Sequence, residues 1–204
     1  MASTVTTFES AARSFADLIR RLPNDALDGP GLGDWDLRAL VGHASRSLVT
    51  VIDYLQTAAE REDVPTPQEY YTQIACYAST VGADAIVERG RQAGRDLGAD
   101  PVRVIDDLID RAVGELATAG DPLIEVIGGL GIRLHTYLPT RTFELAVHSL
   151  DIGRATGLAV DLPADVLESA AVLATRIGVA MGHGDALLLS LTGRQPLPPG
   201  FSVV

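Results

Sequence analysis

The sequence contains one cysteine, Cys76, and no lysine among its 16 basic residues. A single thiol excludes an internal disulfide framework and any cysteine-rich zinc motif. The arginines are dispersed in a chain of net charge −11, so no basic stripe can neutralise phosphates and nucleic acid is not an expected partner. No apolar run approaches the roughly 18 residues of a membrane helix, and no signal-peptide pattern is present. We therefore expect a cytoplasmic protein without a membrane partner.

Internal repeats, low-complexity tracts and long linkers are also missing. The glycine cluster Gly128-Gly129-Leu130-Gly131 lacks the lysine and the helix start of a phosphate-binding loop. A chain of 204 residues is long enough to bury a substantial core in one domain. We predict a single metal-binding helical-bundle domain over residues 1–204, with a flexible tail at about 194–204.

Apolar residues recur at three- and four-residue spacing through most of the chain, as in amphipathic helices. Helices are predicted over 6–22, 37–60, 66–80 with continuation to 97 after a bend at 81–83, 100–120, 141–157, 164–181 and 185–191. Residues 123–137 instead predict two short strands around a glycine turn. Trp35 is expected to be buried beside the second helix. The prediction is an all-α fold, a four-helix bundle with extra helices and a short β-hairpin.

The helix at 141–157 has a line of polar residues along one side, bordered on both flanks by apolar residues. At 100° per residue the members of this line fall within about 80° of one another; they are Arg141, Glu144, His148 and Asp151. Thr142, Ser149 and Gly153 are better placed to face solvent. Glu144 and His148 are therefore expected to point into a cleft.

A glutamate and a histidine four residues apart on a helix can bind the same metal ion, because both side chains project from adjacent turns. His43, at the edge of the apolar stripe of the second helix, offers a third ligand to Glu144 and His148, and two imidazoles with one carboxylate are typical of an open zinc-type site. Asp151 could orient an imidazole, and Arg141 could hold an anionic substrate or Glu144. The alternatives are an exposed Glu144–His148 pair and a surface ion pair of Arg141 with Asp151.

The remaining candidates for chemistry have simpler interpretations. His135 lies in the predicted strand region and His183 in a Gly-His-Gly-Asp segment, and both are expected to be structural or exposed. Cys76 is expected to be a small core residue, since no histidine stands in a motif-like relation to it.

Three segments carry a family resemblance: GDWDLRALVGHA at 33–44, TRTFELAVHSLD at 140–151 and the tail LTGRQPLPPGFS at 191–202. The first two resemble the signatures of the mycothiol-dependent maleylpyruvate isomerase family, part of the DinB-like helical-bundle superfamily. The tail resembles the end of single-domain actinobacterial members. Carried over by position, the metal ligands of the family fall on His43, Glu144 and His148.

The resemblance implies a divalent metal, most of all zinc, and mycothiol or another low-molecular-weight thiol as cosubstrate. A metal ion favours thiolate over thiol at neutral pH, so the thiol could attack a small electrophile. Characterised isomerases of the family have a further C-terminal domain that helps to form their active site, and the resemblance does not extend to that domain. Isomerisation and S-transfer therefore both stay open. Arg141 and Asp151 are the catalytic candidates. A non-enzymatic metal- or ligand-binding protein and a metal-dependent hydrolase are the alternatives. A homodimer is also left open.

Overall fold

The computed structural model describes residues 3–23 and 25–204, without the side chains of residues 75–81 and 83. Its helices are α1 (Thr4–Arg20), α2 (Leu37–Tyr54), α3 (Pro67–Val81), α4 (Ala83–Asp96), α5 (Pro101–Ala119), α6 (Leu134–Thr156), α7 (Ala164–Ala180) and α8 (Gly184–Leu191). Between α5 and α6, strands β1 (Leu123–Val126) and β2 (Leu130–Arg133) pair antiparallel, with Leu123 opposite Arg133. The predicted all-α fold with one short hairpin is confirmed.

Four helices form the central bundle, since α1 and α2 each pack against both α5 and α6. Phe8 and Phe15 of α1 and Leu40 and Leu48 of α2 are fully buried in this core. Each such side chain stabilises the fold by about 1.5–3 kcal/mol when it leaves water. Outside the bundle, α4 packs against α2 and α7 against α6. Among the described residues, no helix combines the length and apolar character needed to cross a membrane.

Several predicted helix starts and stops are confirmed. The carboxylates of Asp36 and Asp100 accept the N–H groups three residues further on, at 2.7 and 3.1 Å, and so cap α2 and α5. The bend predicted at 81–83 falls at Gly82, whose φ of 85° separates α3 from α4. The first helix begins at Thr4 rather than at residue 6, because the Ser3 hydroxyl accepts the N–H of Thr6 at 3.1 Å and caps it.

Two predicted boundaries around the hairpin are wrong. Helix α2 ends at Tyr54 rather than 60, because the following segment turns toward the hairpin, where the Thr57 hydroxyl donates to the Glu125 carbonyl. The second strand was predicted to reach 137, but α6 begins at Leu134. Leu134 and Tyr137, three residues apart, are both fully buried, so helical packing decides the conformation of this segment. His135 therefore lies on a helix.

The predicted solvent side of α6 is also wrong. Thr142 and Ser149 are only 1% and 2% exposed, and Gly153 is buried as well. The reason is that α6 is the central helix, packed against α1, α2, α3 and α7, so that almost every side of it meets protein. Leu150 is one of the apolar residues that border the polar line and were expected to be buried, but it is 39% exposed.

Helices α2 and α4 approach closely because both carry glycine at their contact. A Cβ atom on Gly42 would lie 2.1 Å from the backbone nitrogen of Gly94, so no side chain fits there. Trp35, just before α2, reaches across to α4, and its Nε1 donates to the carbonyl of Val87 at 2.9 Å. It was predicted to be largely buried and is partly buried. This contact fixes the entry to α2, the helix that carries His43.

Candidate metal centre

His43, Glu144 and His148 come together where α2 packs against α6. His43 lies on α2, and Glu144 and His148 lie one turn apart on α6. One ligand atom from each residue can be chosen so that all three atoms lie within 4.8 Å of one another. In the part of the chain that the structure describes, no other group of histidine, cysteine, aspartate and glutamate side chains has this geometry.

The donor atoms suit a small divalent cation. Nε2 of His148 lies 3.3 Å from Oε2 of Glu144. Ligands held at about 2.0–2.1 Å in a tetrahedral site are separated by roughly 3.3–3.4 Å, so this pair already has the required spacing. In addition, Nδ1 of His43 is buried without a hydrogen-bond partner, a situation that is rare for a buried polar atom. The donor set and its spacing thus fit a zinc-type ion.

Two neighbours hold the side chains of Glu144 and His148 in place. Oδ2 of Asp151 lies 3.1 Å from Nδ1 of His148, which leaves Nε2 of the same ring pointing at Glu144. The hydroxyl of Tyr71, on α3, lies 2.9 Å from Oε1 of Glu144 and 3.1 Å from the carbonyl of Thr140. Carboxylate–histidine pairs of this kind orient metal ligands and fix the imidazole tautomer. Asp151 lies where sequence reasoning expected it, whereas Tyr71 was missed.

Arg141 is buried on the same side of α6. Its guanidinium lies over the rings of Tyr70 and Tyr137, with its central carbon 5.3 and 4.9 Å from their centroids. Nε donates to the Thr140 hydroxyl at 3.0 Å, and among the described residues no carboxylate oxygen lies within 4.0 Å of the guanidinium nitrogens. The alternative of a surface ion pair with Asp151 is therefore not what the structure shows. The remaining N–H groups have no acceptor in the described part of the chain.

A pocket of about 190 Å³ opens beside the cluster. Its lining includes three arginines, Arg46, Arg89 and Arg141. Among the described lining residues, Glu144 is the one carboxylate. Tyrosine rings supply much of the remaining wall. Sequence reasoning missed Arg46, although it lies one turn after His43 on α2, and missed Arg89, which only the tertiary contact of α4 with α2 brings close. A second cavity of about 260 Å³ contains none of the clustered residues.

The three clustered residues have shifted pKa values. Burial lowers the pKa of His43 to about 4, and the charge of His148 adds to this effect. Burial would raise the pKa of Glu144, but the hydrogen bond with His148 and the charge of Arg141 outweigh it, and the pKa falls to about 2. Burial also opposes charging of His148, yet its bonds with Asp151 and Glu144 raise its pKa to about 9. Without a metal at neutral pH, His148 is therefore cationic, His43 neutral and Glu144 ionised.

These shifts make the stability of the metal-free protein depend on pH in both directions. Because the pKa of His148 is raised in the folded protein, its protonation stabilises the fold. This contribution is complete below pH 6.5, the ordinary pKa of histidine, and is lost as pH rises through about 9. The lowered pKa of His43 has the opposite sign: its contribution is present above 6.5 and is lost as pH falls through about 4. Stability in urea with a chelator is therefore expected to peak near pH 6.5. The loss on the alkaline side should be about 3 kcal/mol.

Unfolding midpoints measured from pH 5 to pH 9 with EDTA present would check this expectation. His148→Gln should flatten the alkaline limb, whereas His135→Gln, on the exposed side of α6, should leave it unchanged. A stability that rises steadily from pH 7 to pH 9 in the wild type would contradict the assigned charge states.

The other candidates lie apart from this centre. The His135 side chain is 47% exposed and 3.9 Å from Asp121. His183 is exposed and packs edge-on against Phe201, with 5.4 Å between the ring centroids. The prediction for Cys76 concerns a side chain outside the described residues, so it stays a prediction.

Comparison with known proteins agrees with this geometry. Residues 8–153 match the family model described as the mycothiol maleylpyruvate isomerase N-terminal domain, a range that includes the three clustered residues together with Arg141 and Asp151. A crystal structure of the mycothiol-dependent maleylpyruvate isomerase superposes with a TM-score of 0.55 at 15% identity, covering 87% of this chain and 72% of that one. At that identity the likeness concerns the fold. No curated protein matches the chain. Because the family model spans well over half of the 204 residues, the chain belongs to the mycothiol maleylpyruvate isomerase N-terminal domain family.

Proposed function

We propose that this protein is a metal- and mycothiol-dependent enzyme that acts on a small electrophile carrying acidic groups, as an isomerase or S-transferase. The observation that supports this most is the His43–Glu144–His148 cluster, of which His43 and Glu144 line a pocket that also contains three arginines. Family membership supports a thiol as the second reactant, since both the family model and the superposed structure are described by mycothiol dependence.

The residues present fit a divalent metal, and His43, Glu144 and His148 would hold it. When bound, such an ion would supply Lewis acidity that lowers the pKa of a thiol at the open position. Asp151 keeps Nδ1 of His148 engaged, so Nε2 of the same ring is free to serve as a ligand. Glu144 is ionised at neutral pH, so its carboxylate is available to hold the ion. The thiol proton would pass to solvent.

The arginines indicate what kind of electrophile enters. The unpaired N–H groups of Arg141 are suited to a carboxylate, which a guanidinium binds through two parallel hydrogen bonds. Arg46 and Arg89 repel each other. Burial lowers the pKa of Arg46, and the charge of Arg89 lowers it further. Among the described residues, no carboxylate oxygen lies within 4.0 Å of a guanidinium nitrogen of Arg46 or Arg89. An anionic group of the substrate would relieve this repulsion.

Both reactions use the sulfur of the external thiol, so neither needs a cysteine of the chain. In isomerisation, thiolate sulfur adds to one carbon of an activated double bond, the former double bond rotates as a single bond, and the same sulfur leaves. In S-transfer, the carbon–sulfur bond stays and another group departs with the electron pair. Arg141 would stabilise the negative charge that develops on the carboxylate side of the substrate in either case.

The test is a kinetic comparison with maleylpyruvate, the substrate named for the superposed structure, using mycothiol, glutathione or no thiol. Wild type and the control His135→Ala should show turnover that requires both metal and thiol, and His43→Ala should show none. Turnover that persists without thiol would favour a hydrolase. Metal binding without turnover of maleylpyruvate or of other acidic electrophiles would favour a non-enzymatic binding protein, and either result overturns the proposal.

A further inference from the structure

The three ligand residues are held in different ways. His148 has Asp151 at Nδ1, and Glu144 has Tyr71 at Oε1, so a hydrogen bond orients each of them. No hydrogen bond from the described residues reaches either ring nitrogen of His43, and its Nδ1 is fully enclosed. A metal-binding imidazole normally has such a partner to fix its orientation. Within the described residues, packing rather than a hydrogen bond therefore holds the His43 ring.

Aromatic packing holds the His43 ring instead of a hydrogen bond. The indole of Trp35 lies against the His43 ring in a tilted arrangement, with 4.5 Å between centroids and 33° between planes. On another side, the ring of His148 meets His43 edge-on, 4.9 Å away at 85°. Two aromatic neighbours in these orientations restrict both the tilt and the rotation of the imidazole.

Trp35 is itself fixed by α4. Its Nε1 donates to the carbonyl of Val87 at 2.9 Å. Gly90 leaves room for the indole, since a Cβ atom there would lie 2.6 Å from Cε2 of Trp35. The close contact of Gly42 with Gly94 holds α4 against α2 one residue before His43. The indole is therefore a rigid wall between α4 and the imidazole.

We infer that Trp35 is a positioning residue for the metal centre: its indole holds His43 at the angle at which the imidazole meets Glu144 and His148. This inference rests on the metal site of the proposed function. Trp35 takes no part in the chemistry and acts through His43 alone. As the only tryptophan of the chain, it also makes the state of His43 visible in intrinsic fluorescence.

The first test measures zinc affinity of the purified chain with a competing chelator. Trp35→Leu removes the flat ring and should weaken zinc binding by about 10–100-fold, the range typical of a lost orienting partner. Trp35→Phe keeps a ring and should recover most of that loss. Gly90→Ala leaves Trp35 in the sequence but displaces it, so it should weaken binding as well. Gly114→Ala on α5, where a Cβ atom meets nothing within 4 Å, is the matched control and should not change affinity.

A double-mutant cycle separates positioning from general destabilisation. In a His43→Gln background, Trp35→Leu should cause no further loss of zinc affinity, because its effect passes through His43. Cobalt(II) added to the wild type should quench the fluorescence of Trp35 and saturate at one ion per chain. If Trp35→Leu does not fold, Gly90→Ala, Trp35→Phe and the quenching experiment still decide the question.

The outcomes distinguish two failures. If the wild type binds no zinc, the metal site is wrong and the proposed function fails with it. If the wild type binds zinc and both Trp35→Leu and Gly90→Ala bind it equally well, the positioning role alone is wrong. Additive losses in the His43→Gln background would likewise overturn it.

Discussion

His148→Ala is expected to remove bound metal from the protein, from about one ion per chain to a level near zero. The change deletes one of three donors, and loss of a mere orienting partner already costs about 10–100-fold in affinity, so loss of a ligand should cost more. Helix content should persist, because α6 keeps its buried contacts through Phe143, Leu145 and Ile152. The measurement is elemental analysis of protein purified without a chelator, together with far-ultraviolet circular dichroism.

Two controls make this result specific to the cluster. His135→Ala removes a histidine of the same helix whose side chain is 47% exposed, and it should keep the metal content of the wild type. Asp151→Asn retains the three donors but weakens the hold on His148 Nδ1, so it should give partial metal content. Equal metal content in wild type and His148→Ala would mean that the ion, if present, binds elsewhere.

His148→Ala should also destabilise the metal-free protein. The imidazolium lies between the carboxylates of Glu144 and Asp151, at 3.3 and 3.1 Å. Removing the cation takes away the partner of Asp151, whereas Glu144 keeps its hydrogen bond from Tyr71, and a buried carboxylate left unsatisfied costs about 1–3 kcal/mol. Metal loss and stability must therefore be measured on the same preparations, at a temperature where both proteins are folded.

Much of the candidate site could be predicted from local rules. Glu144 and His148 lie four residues apart, and helix geometry alone places them on adjacent turns. His43 could be added because it lies at the edge of an apolar stripe, where a helix meets its neighbours. The helix caps at Asp36 and Asp100 follow from side-chain chemistry within three residues. Each of these inferences uses information from within one helix.

What the sequence did not show depends on contacts between helices. Tyr71 meets Glu144 across 73 residues, and nothing in the spacing of either residue indicates that meeting. The contact of Trp35 with His43 depends on α4, because Gly90 leaves room for the indole and the Val87 carbonyl accepts its N–H. The solvent side of α6 was mispredicted because periodicity assigns a polar residue to water by default. A central helix that packs against four others leaves only a few residues to solvent, among them His135 and Arg154.

Arg141→Met is expected to lower kcat/KM for an acidic electrophile by about 30-fold to 5,000-fold while leaving metal content unchanged. Truncating one partner of a buried charged hydrogen bond costs about 2–5 kcal/mol, which corresponds to that range of rates. The guanidinium lies over the rings of Tyr70 and Tyr137 and lines the pocket, so these contacts restrict its position beside the substrate. Arg141→Lys should recover little activity, because an ammonium group lacks the planar fork that binds a carboxylate at two points.

Substrate charge provides the discriminating measurement for Arg141. With a neutral electrophile of similar reactivity, such as the diester of the acidic substrate, wild type and Arg141→Met should differ far less, because the carboxylate contact is absent in both. Arg154→Met, an exposed arginine of the same helix outside the pocket, should behave as wild type with either substrate. An equal loss with charged and neutral electrophiles would mean that Arg141 supports the fold of the pocket through its tyrosine contacts. Selective loss with the charged electrophile assigns Arg141 to substrate binding, since only an interaction with the missing charge can produce a difference between the two substrates.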